Sequence, residues 1–113
     1  MKIKKNVDEE TLLVAEDDVI KVEFLNIGEG YNGDYNPQDP DDEPLIRFDV
    51  SICEDGQWRE VDDASYCTKL KVSEKLDVLE EKITAVFNRY RDVVDHILAG
   101  GSVKKLGEEL SWI

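Results

Sequence analysis

The sequence predicts an α+β fold in which an antiparallel sheet of about four to five strands packs against a long C-terminal helix followed by a short one. In the first two thirds of the chain, several short segments alternate apolar and polar residues, which is typical of strands with one buried face. From Glu74 onward, the apolar residues recur with the period of an amphipathic helix. The chain has 113 residues, of which 41% are hydrophobic, so residues 1–113 are predicted to form one domain around one core.

The first half of the chain is predicted to contribute three strands. Residues 1–10 show no sustained period and alternate blocks of opposite charge, which predicts a loosely ordered segment. Residues 11–16 and 19–27 are predicted to form a hairpin, because two aspartates between them signal a turn. Residues 45–52 alternate without interruption and give the clearest strand.

Two further strands are predicted after a tight turn at Asp55-Gly56, where glycine accepts the positive φ that a reversal needs. They cover residues 57–61 and 65–72, and the polar sequence Asp-Asp-Ala at residues 62–64 is expected to break the chain between them. An antiparallel meander is the simplest arrangement of all these strands.

The helical pattern predicts one helix of about seven turns. Ser73 is expected to cap its N-terminus and Gly100-Gly101 to end it, and a shorter helix capped by Ser102 follows. The apolar stripe of the long helix has only the sheet to cover it. We therefore expect five side chains to be buried together: Phe48, Val50, Leu79, Ile83 and Phe87.

The charge of the chain is strongly negative and unevenly distributed. The formal net charge is −13, and twelve acidic residues face two basic ones between Gly28 and Asp63. Such a field repels nucleic acid and anionic membranes and favours the approach of basic surfaces. The charge pattern therefore predicts a basic protein surface as the partner, with no direct binding to nucleic acid or to a membrane.

Residues 28–44 form a long acidic loop that contains all three prolines of the chain, so a regular element is excluded there. Loops of this length usually have a function or are disordered. A recognition surface would combine tyrosine contact area with carboxylates that complement a basic partner. The candidate partner-binding residues are Tyr31, Tyr35, Asp39, Asp41, Asp42 and Glu43.

The same loop also allows a calcium-binding module over residues 34–43, because closely spaced side-chain oxygens are the ligands that calcium takes. The match to a calcium-binding EF-hand loop is poor, since Asp39 stands where glycine is required and Leu45 stands where the bidentate glutamate belongs. The candidate metal ligands are Asp34, Asn36, Asp39 and Asp41.

Catalytic motifs are absent from the sequence, and no motif indicates a cofactor. A favourable interaction with a helix C-terminus explains the single histidine, His96, without chemistry. Cys53 and Cys67 are expected to be two free thiols on strands. An enzyme remains an alternative only if carboxylates converge in the fold.

The start of the chain lacks the apolar run of a signal peptide, and its longest apolar runs are far shorter than the roughly 20 residues that cross a bilayer. A cytoplasmic location is therefore expected. Trp112 and Ile113, at the end of the sequence, are expected to dock on the core or to contact another chain.

Several segments together resemble small acidic hypothetical proteins of bacterial and phage genomes, for which no activity is established. The segments are residues 33–37 (GDYNP), 39–42 (DPDD), 45–50 (LIRFDV), 63–68 (DASYCT) and 110–113 (LSWI). The resemblance implies a bacterial or phage cytoplasmic protein and assigns no functional residue. Inhibitors of basic host proteins are one known type among such phage proteins. The leading hypothesis is thus a non-enzymatic interaction or regulatory protein, acting as a nucleic-acid mimic or inhibitor.

Overall fold

Five strands form one antiparallel meander in the computed structural model, in which each strand pairs with the next along the chain. The structure describes residues 1–30 and 34–113. The strands are β1 (Lys2–Lys5), β2 (Thr11–Glu16), β3 (Ile20–Leu25), β4 (Leu45–Glu54) and β5 (Gln57–Lys71), and the helices are α1 (Leu76–Asp92), α2 (Val94–Leu98) and α3 (Lys104–Leu110). The predicted α+β class is confirmed.

One face of the sheet carries the apolar half of each alternating pattern. In the register of β3 and β4, Phe24 lies opposite Phe48 and Val22 lies opposite Val50, and all four are buried. Each large side chain buried in this way stabilises the fold by about 1.5–3 kcal/mol relative to exposure. The five expected core residues belong to one buried cluster, which confirms that the predicted strand and helix stripes cover each other.

Residues 1–10 contain a strand, which corrects the expected loose order of this segment. Strand β1 pairs with β2, and Ile3 lies opposite Ala15 on the buried face. Two ion pairs also hold β1, from Lys4 Nζ to Glu16 Oε1 at 2.5 Å and from Lys5 Nζ to Glu80 Oε1 at 2.6 Å. The strand has no visible period because only one of its four residues points to the core.

The prediction that residues 62–64 separate two strands is wrong. Strand β5 runs through them and remains paired with β4 on both sides, where Ser51 lies opposite Glu60 and Asp49 lies opposite Ser65. Between these two pairs, β4 has one residue and β5 has four, so the extra residues form a bulge. Asp63 takes a positive φ of 59° in the bulge.

The long predicted helix is two helices, α1 and α2, which meet at Val93 with φ −113° and ψ 17°. A straight helix over residues 74–99 would be about 39 Å long, whereas six-residue strands such as β2 and β3 span only about 20 Å. The break brings Val94 and Ile97 back to the core. The N-cap is Lys75 and not Ser73, because residues 72–74 form the turn that leaves β5.

Helix α1 packs over β2 and β3, and α3 packs over β5. Gly107 of α3 lies directly on the Tyr66 ring, where a Cβ atom would come within 2.0 Å of Tyr66 Cε2. Beyond α3, Ile113 is partly buried against the core, as expected. Trp112 is not, because 71% of it is exposed and Lys69 Nζ lies 4.8 Å from its ring centroid. None of the helices in residues 1–30 and 34–113 is long and apolar enough to span a membrane.

Candidate functional site

Two acidic loops lie at the same end of the sheet. Because consecutive strands run in opposite directions, the β1–β2 turn and the β3–β4 connection lie at the same end of the strands. The Asn26 amide donates a hydrogen bond to the Glu10 carbonyl at 2.7 Å and joins them. We call residues 6–10, 26–30 and 34–44 the acidic end. Their sequence holds nine aspartates and glutamates and no lysine or arginine.

The β3–β4 connection uses its own side chains to hold its backbone. Asp42 Oδ2 accepts a hydrogen bond from the Asn36 amide at 2.8 Å, and Asp39 Oδ1 accepts one from the Asp41 amide at 2.9 Å. The amides of Asp39 and Asp42 also donate to the carbonyls three residues earlier, as in tight turns. The sequence Asn-Pro-Gln-Asp-Pro-Asp-Asp therefore folds locally into a fixed shape.

The C-terminal part of this connection is tied to the segment that leads into α1. The Pro44 carbonyl accepts a hydrogen bond from the Val72 amide at 3.1 Å, and Glu43 Oε1 accepts one from the Ser73 amide at 3.0 Å. Hydrogen bonding by the side chain and the backbone amide of Ser73 lowers the pKa of the Glu43 carboxyl, so it stays ionised at neutral pH.

Tyr35 lies at the base of the acidic end, half-buried against Gly30. The approach is so close that a Cβ atom on Gly30 would lie 2.7 Å from the Tyr35 amide nitrogen. Only glycine allows this contact, since any side chain there would push the two segments apart. The other candidate aromatic residue, Tyr31, lies outside the described residues.

A cleft of ≈ 250 Å³ opens between these segments. We call it the acidic cleft, and it is lined by Gly30, Asp34, Tyr35, Asp41, Asp42, Glu43, Leu45 and Lys71. Four of the predicted partner-binding residues are thus brought together: Tyr35, Asp41, Asp42 and Glu43. Asp39 is not part of the lining. Its carboxylate holds the loop from within.

The candidate metal ligands lie along one loop and partly bind its backbone. In residues 1–30 and 34–113, no group of three or more histidine, cysteine, aspartate or glutamate side chains is arranged to hold a metal ion. Calcium takes about six to eight oxygen ligands, whereas Asn36 and Asp39 direct side-chain oxygens to amides of their own loop. These two side chains therefore have fewer oxygen lone pairs available for a metal ion.

Carboxylates also meet on the sheet face opposite the helices. Glu23 lies directly across from Asp49, whose Oδ1 accepts a hydrogen bond from the Ser65 hydroxyl, and Arg47 Nε donates to that hydroxyl at 2.9 Å. Burial raises the pKa of Glu23, and the neighbouring carboxylates of Asp49 and Glu60 raise it further against the opposing effect of Lys21. Glu23 and Asp49 are thus one pair of carboxylates that the fold brings together.

The contacts of the histidine and the two cysteines are explained by their positions in the fold. A ring nitrogen of His96 lies 2.9 Å from the Ser102 carbonyl oxygen, and the ring covers Gly101, so the side chain closes the turn after α2. Cys53 and Cys67 are free thiols on strands, as predicted. Burial raises the pKa of the Cys67 thiol, which lowers its reactivity.

The sequence analysis did not include several residues of the acidic end. Asp8, Glu9 and Glu10 lie in the β1–β2 turn, and the hydrogen bond from Asn26 to Glu10 at the end of the β2–β3 pair joins this turn to the loop. The predicted meander already indicates this position, because in a meander the segment before β2 and the connection after β3 lie at the same end of the sheet. In comparisons with known proteins, no family model matches this chain, and no curated protein or solved structure is significantly similar to it.

Proposed function

We propose that this chain is a non-enzymatic interaction protein that binds a basic surface of a partner protein through its acidic end. The observation that carries the proposal is the gathering of nine acidic residues and no basic ones in two joined loops. The acidic cleft within this surface provides a defined position for one side chain of the partner.

A lysine or arginine side chain fits the acidic cleft by charge and by size. The volume of ≈ 250 Å³ is below the roughly 300–1,000 Å³ of pockets that hold small-molecule ligands. The side-chain oxygens of Asp41 and Asp42 can accept charge-assisted hydrogen bonds, and arginine makes such bonds in pairs. The Tyr35 ring adds aromatic surface for the aliphatic part of the same side chain.

The hydrogen bonds within the loop support binding by lowering its entropic cost. A surface whose shape is set before association loses less conformational freedom on binding. The field of the acidic end should mainly accelerate association, whereas desolvated groups such as Tyr35 should mainly slow dissociation. A partner surface that normally contacts phosphates is complementary to the same carboxylates, so occupation of a nucleic-acid groove is the regulatory action that we propose.

The test compares two sets of charge-neutralised variants. In the loop variant, Asp39, Asp41 and Asp42 become Asn and Glu43 becomes Gln, which keeps an acceptor for every amide of the loop. The matched control neutralises four exposed acids on the helices in the same way: Glu81, Asp92, Asp95 and Glu108. Both sets change the net charge equally, so only their position differs.

Each protein is used to capture partners from a bacterial lysate, and the purified partner is then studied by surface plasmon resonance. We expect a basic protein whose association slows by at least about tenfold with the loop variant and much less with the control. Raising salt from about 50 to about 300 mM should slow association to wild type, because the Debye length falls below about 8 Å.

Tyr35→Ala should mainly raise the dissociation rate, and duplex DNA should compete for the partner. Capture of only neutral or acidic partners would contradict the proposal, as would equal effects of the loop variant and the control. Failure of DNA to compete would remove the nucleic-acid groove from the proposal and leave the basic partner.

A further inference from the structure

An apolar cleft lies next to the acidic end, where α1 begins. It has a volume of ≈ 240 Å³, and Leu12, Val72, Leu76 and Leu79 provide its apolar walls. Leu76 is 41% exposed, although it is the first residue of an amphipathic helix whose other large apolar residues are mostly buried. The cleft therefore leaves the Leu76 side chain partly exposed at the margin of the core.

This cleft and the acidic end share one piece of backbone. Val72, which lines the cleft, donates its amide hydrogen bond to Pro44 of the loop, and the next amide, of Ser73, donates to Glu43. Lys71 lines the acidic cleft and Val72 lines the apolar one, so the two clefts border on neighbouring residues of the chain. One partner segment could therefore reach both clefts.

The charges around the apolar cleft are also mainly negative. Glu74 lines it, and Asp77 follows in the first turn of α1. Asn6, another lining residue, begins the β1–β2 turn that carries three more acids. Of the neighbouring cations in the sequence, Lys5 forms an ion pair with Glu80, and Lys75 directly follows Glu74.

We infer that the apolar cleft is the hydrophobic anchor site of the same interface and takes one large apolar side chain that the partner carries between basic residues. The inference rests on the proposed function. Interfaces usually gain most of their affinity from a few anchors in desolvated pockets, with polar groups around them. A second copy of this chain is a poor occupant, because each copy carries a net charge of −13 and the two would repel.

Two synthetic fluorescein-labelled peptides test the inference. Both are short and lysine-rich, and they differ only in one central residue, which is Phe in one and Ala in the other. The protein variants are Leu76→Ala in the cleft and Leu98→Ala as the matched control, since Leu98 is 47% exposed on α2. Both leucines are exposed, so neither change should unfold the protein. Circular dichroism checks this for each variant.

By fluorescence anisotropy, we expect the wild-type protein to bind the Phe peptide about tenfold more tightly than the Ala peptide. Leu76→Ala should remove most of this difference, whereas Leu98→Ala should leave it unchanged. The affinity of the Ala peptide should fall with salt and should be the same in all three proteins.

Two results would overturn the inference in distinguishable ways. Equal, salt-dependent binding of both peptides would exclude the anchor site and leave the basic partner in place. Absence of binding by either peptide would exclude the proposed function together with the anchor. Concentration-dependent dimerisation that Leu76→Ala abolishes, measured by sedimentation equilibrium, would assign the cleft to a second copy and contradict the inference.

Discussion

Replacing Tyr90 by Phe should stabilise this protein, although it removes a polar group from the last turn of α1. Tyr90 is fully buried, and its ring centroid lies 6.1 Å from that of Phe48. Within the described residues, its hydroxyl has no hydrogen-bond partner. A buried hydroxyl that loses its contacts with water and gains none in the protein costs about 1–3 kcal/mol.

The magnitude follows from what the substitution keeps and what it removes. Phe keeps the ring and therefore the packing against Phe48, so the free energy of unfolding should rise by about 1–2 kcal/mol. For a chain of this length, about 4 °C in melting temperature corresponds to each kcal/mol, which makes the expected rise about 4–8 °C. Tyr66→Phe is the matched control, and it should lower the free energy of unfolding instead of raising it. The Tyr66 hydroxyl donates to the Lys104 carbonyl at 3.2 Å, and its loss should cost about 0.5–1.5 kcal/mol.

The pH dependence gives a second, independent measurement. Burial, with a smaller effect from Tyr66, raises the pKa of the Tyr90 phenol above its ordinary value. As the pH rises, the unfolded chain therefore releases the Tyr90 proton before the folded protein does. The wild type should lose stability above about pH 10 for this reason, whereas Tyr90→Phe, which has no phenol at this position, should not. Urea denaturation at neutral and alkaline pH measures both effects. A destabilised Tyr90→Phe, or a Tyr90 phenol that titrates near pH 10, would refute the reasoning.

Three further predictions use the same urea or thermal measurements. Phe87→Ala should lower the free energy of unfolding by about 3–5 kcal/mol, and a loss below about 1 kcal/mol, equal to that of exposed Leu98→Ala, would contradict the packing of helix on sheet. The variant Glu23→Gln should be more stable than the wild type at pH 7. Burial raises the pKa of Glu23, so the stability of the wild type falls as the pH rises above about 4.3. The difference in stability between the variant and the wild type should vanish near pH 4. If it is as large at pH 4 as at pH 7, the Glu23 carboxylate is not buried in the folded protein. Millimolar calcium should leave the melting temperature unchanged, and a rise that Asp39→Asn with Asp41→Asn abolishes would favour the metal-binding alternative.

The sequence predicts most of this fold because its strands are largely buried on one face. Residues 45–52 alternate in the sequence and lie in β4, and the stripe that includes Leu79 and Ile83 lies in α1. The errors fall where a distant partner decides the structure. β1 exists because β2 offers an edge, and the bulge at residues 61–64 exists because β4 pairs on both sides of it. Neither partner is visible in the local pattern.

The candidate site is predictable in composition but not in arrangement. The carboxylates of the long loop are evident in the sequence, and four predicted residues line one cleft. The hydrogen bond from Ser73 to Glu43 joins residues thirty positions apart, so no local signal indicates it. The apolar cleft at Leu76 escapes prediction for a different reason. The periodic pattern places Leu76 on the buried face, and only the packing at the start of α1 leaves it exposed.

The bulge in β5 has a consequence for aggregation. β5 has 15 residues and pairs with β4 alone among the described strands, so it is a long edge strand of the kind that invites other chains to add. The bulge at residues 61–64 interrupts that edge and places the charged side chains of Asp62 and Asp63 on it. A regular strand of the same length would offer an uninterrupted row of backbone donors and acceptors. The three additional residues therefore act against the addition of other chains at this edge, and the bulge also contributes Val61 and Ala64 to the hydrophobic core.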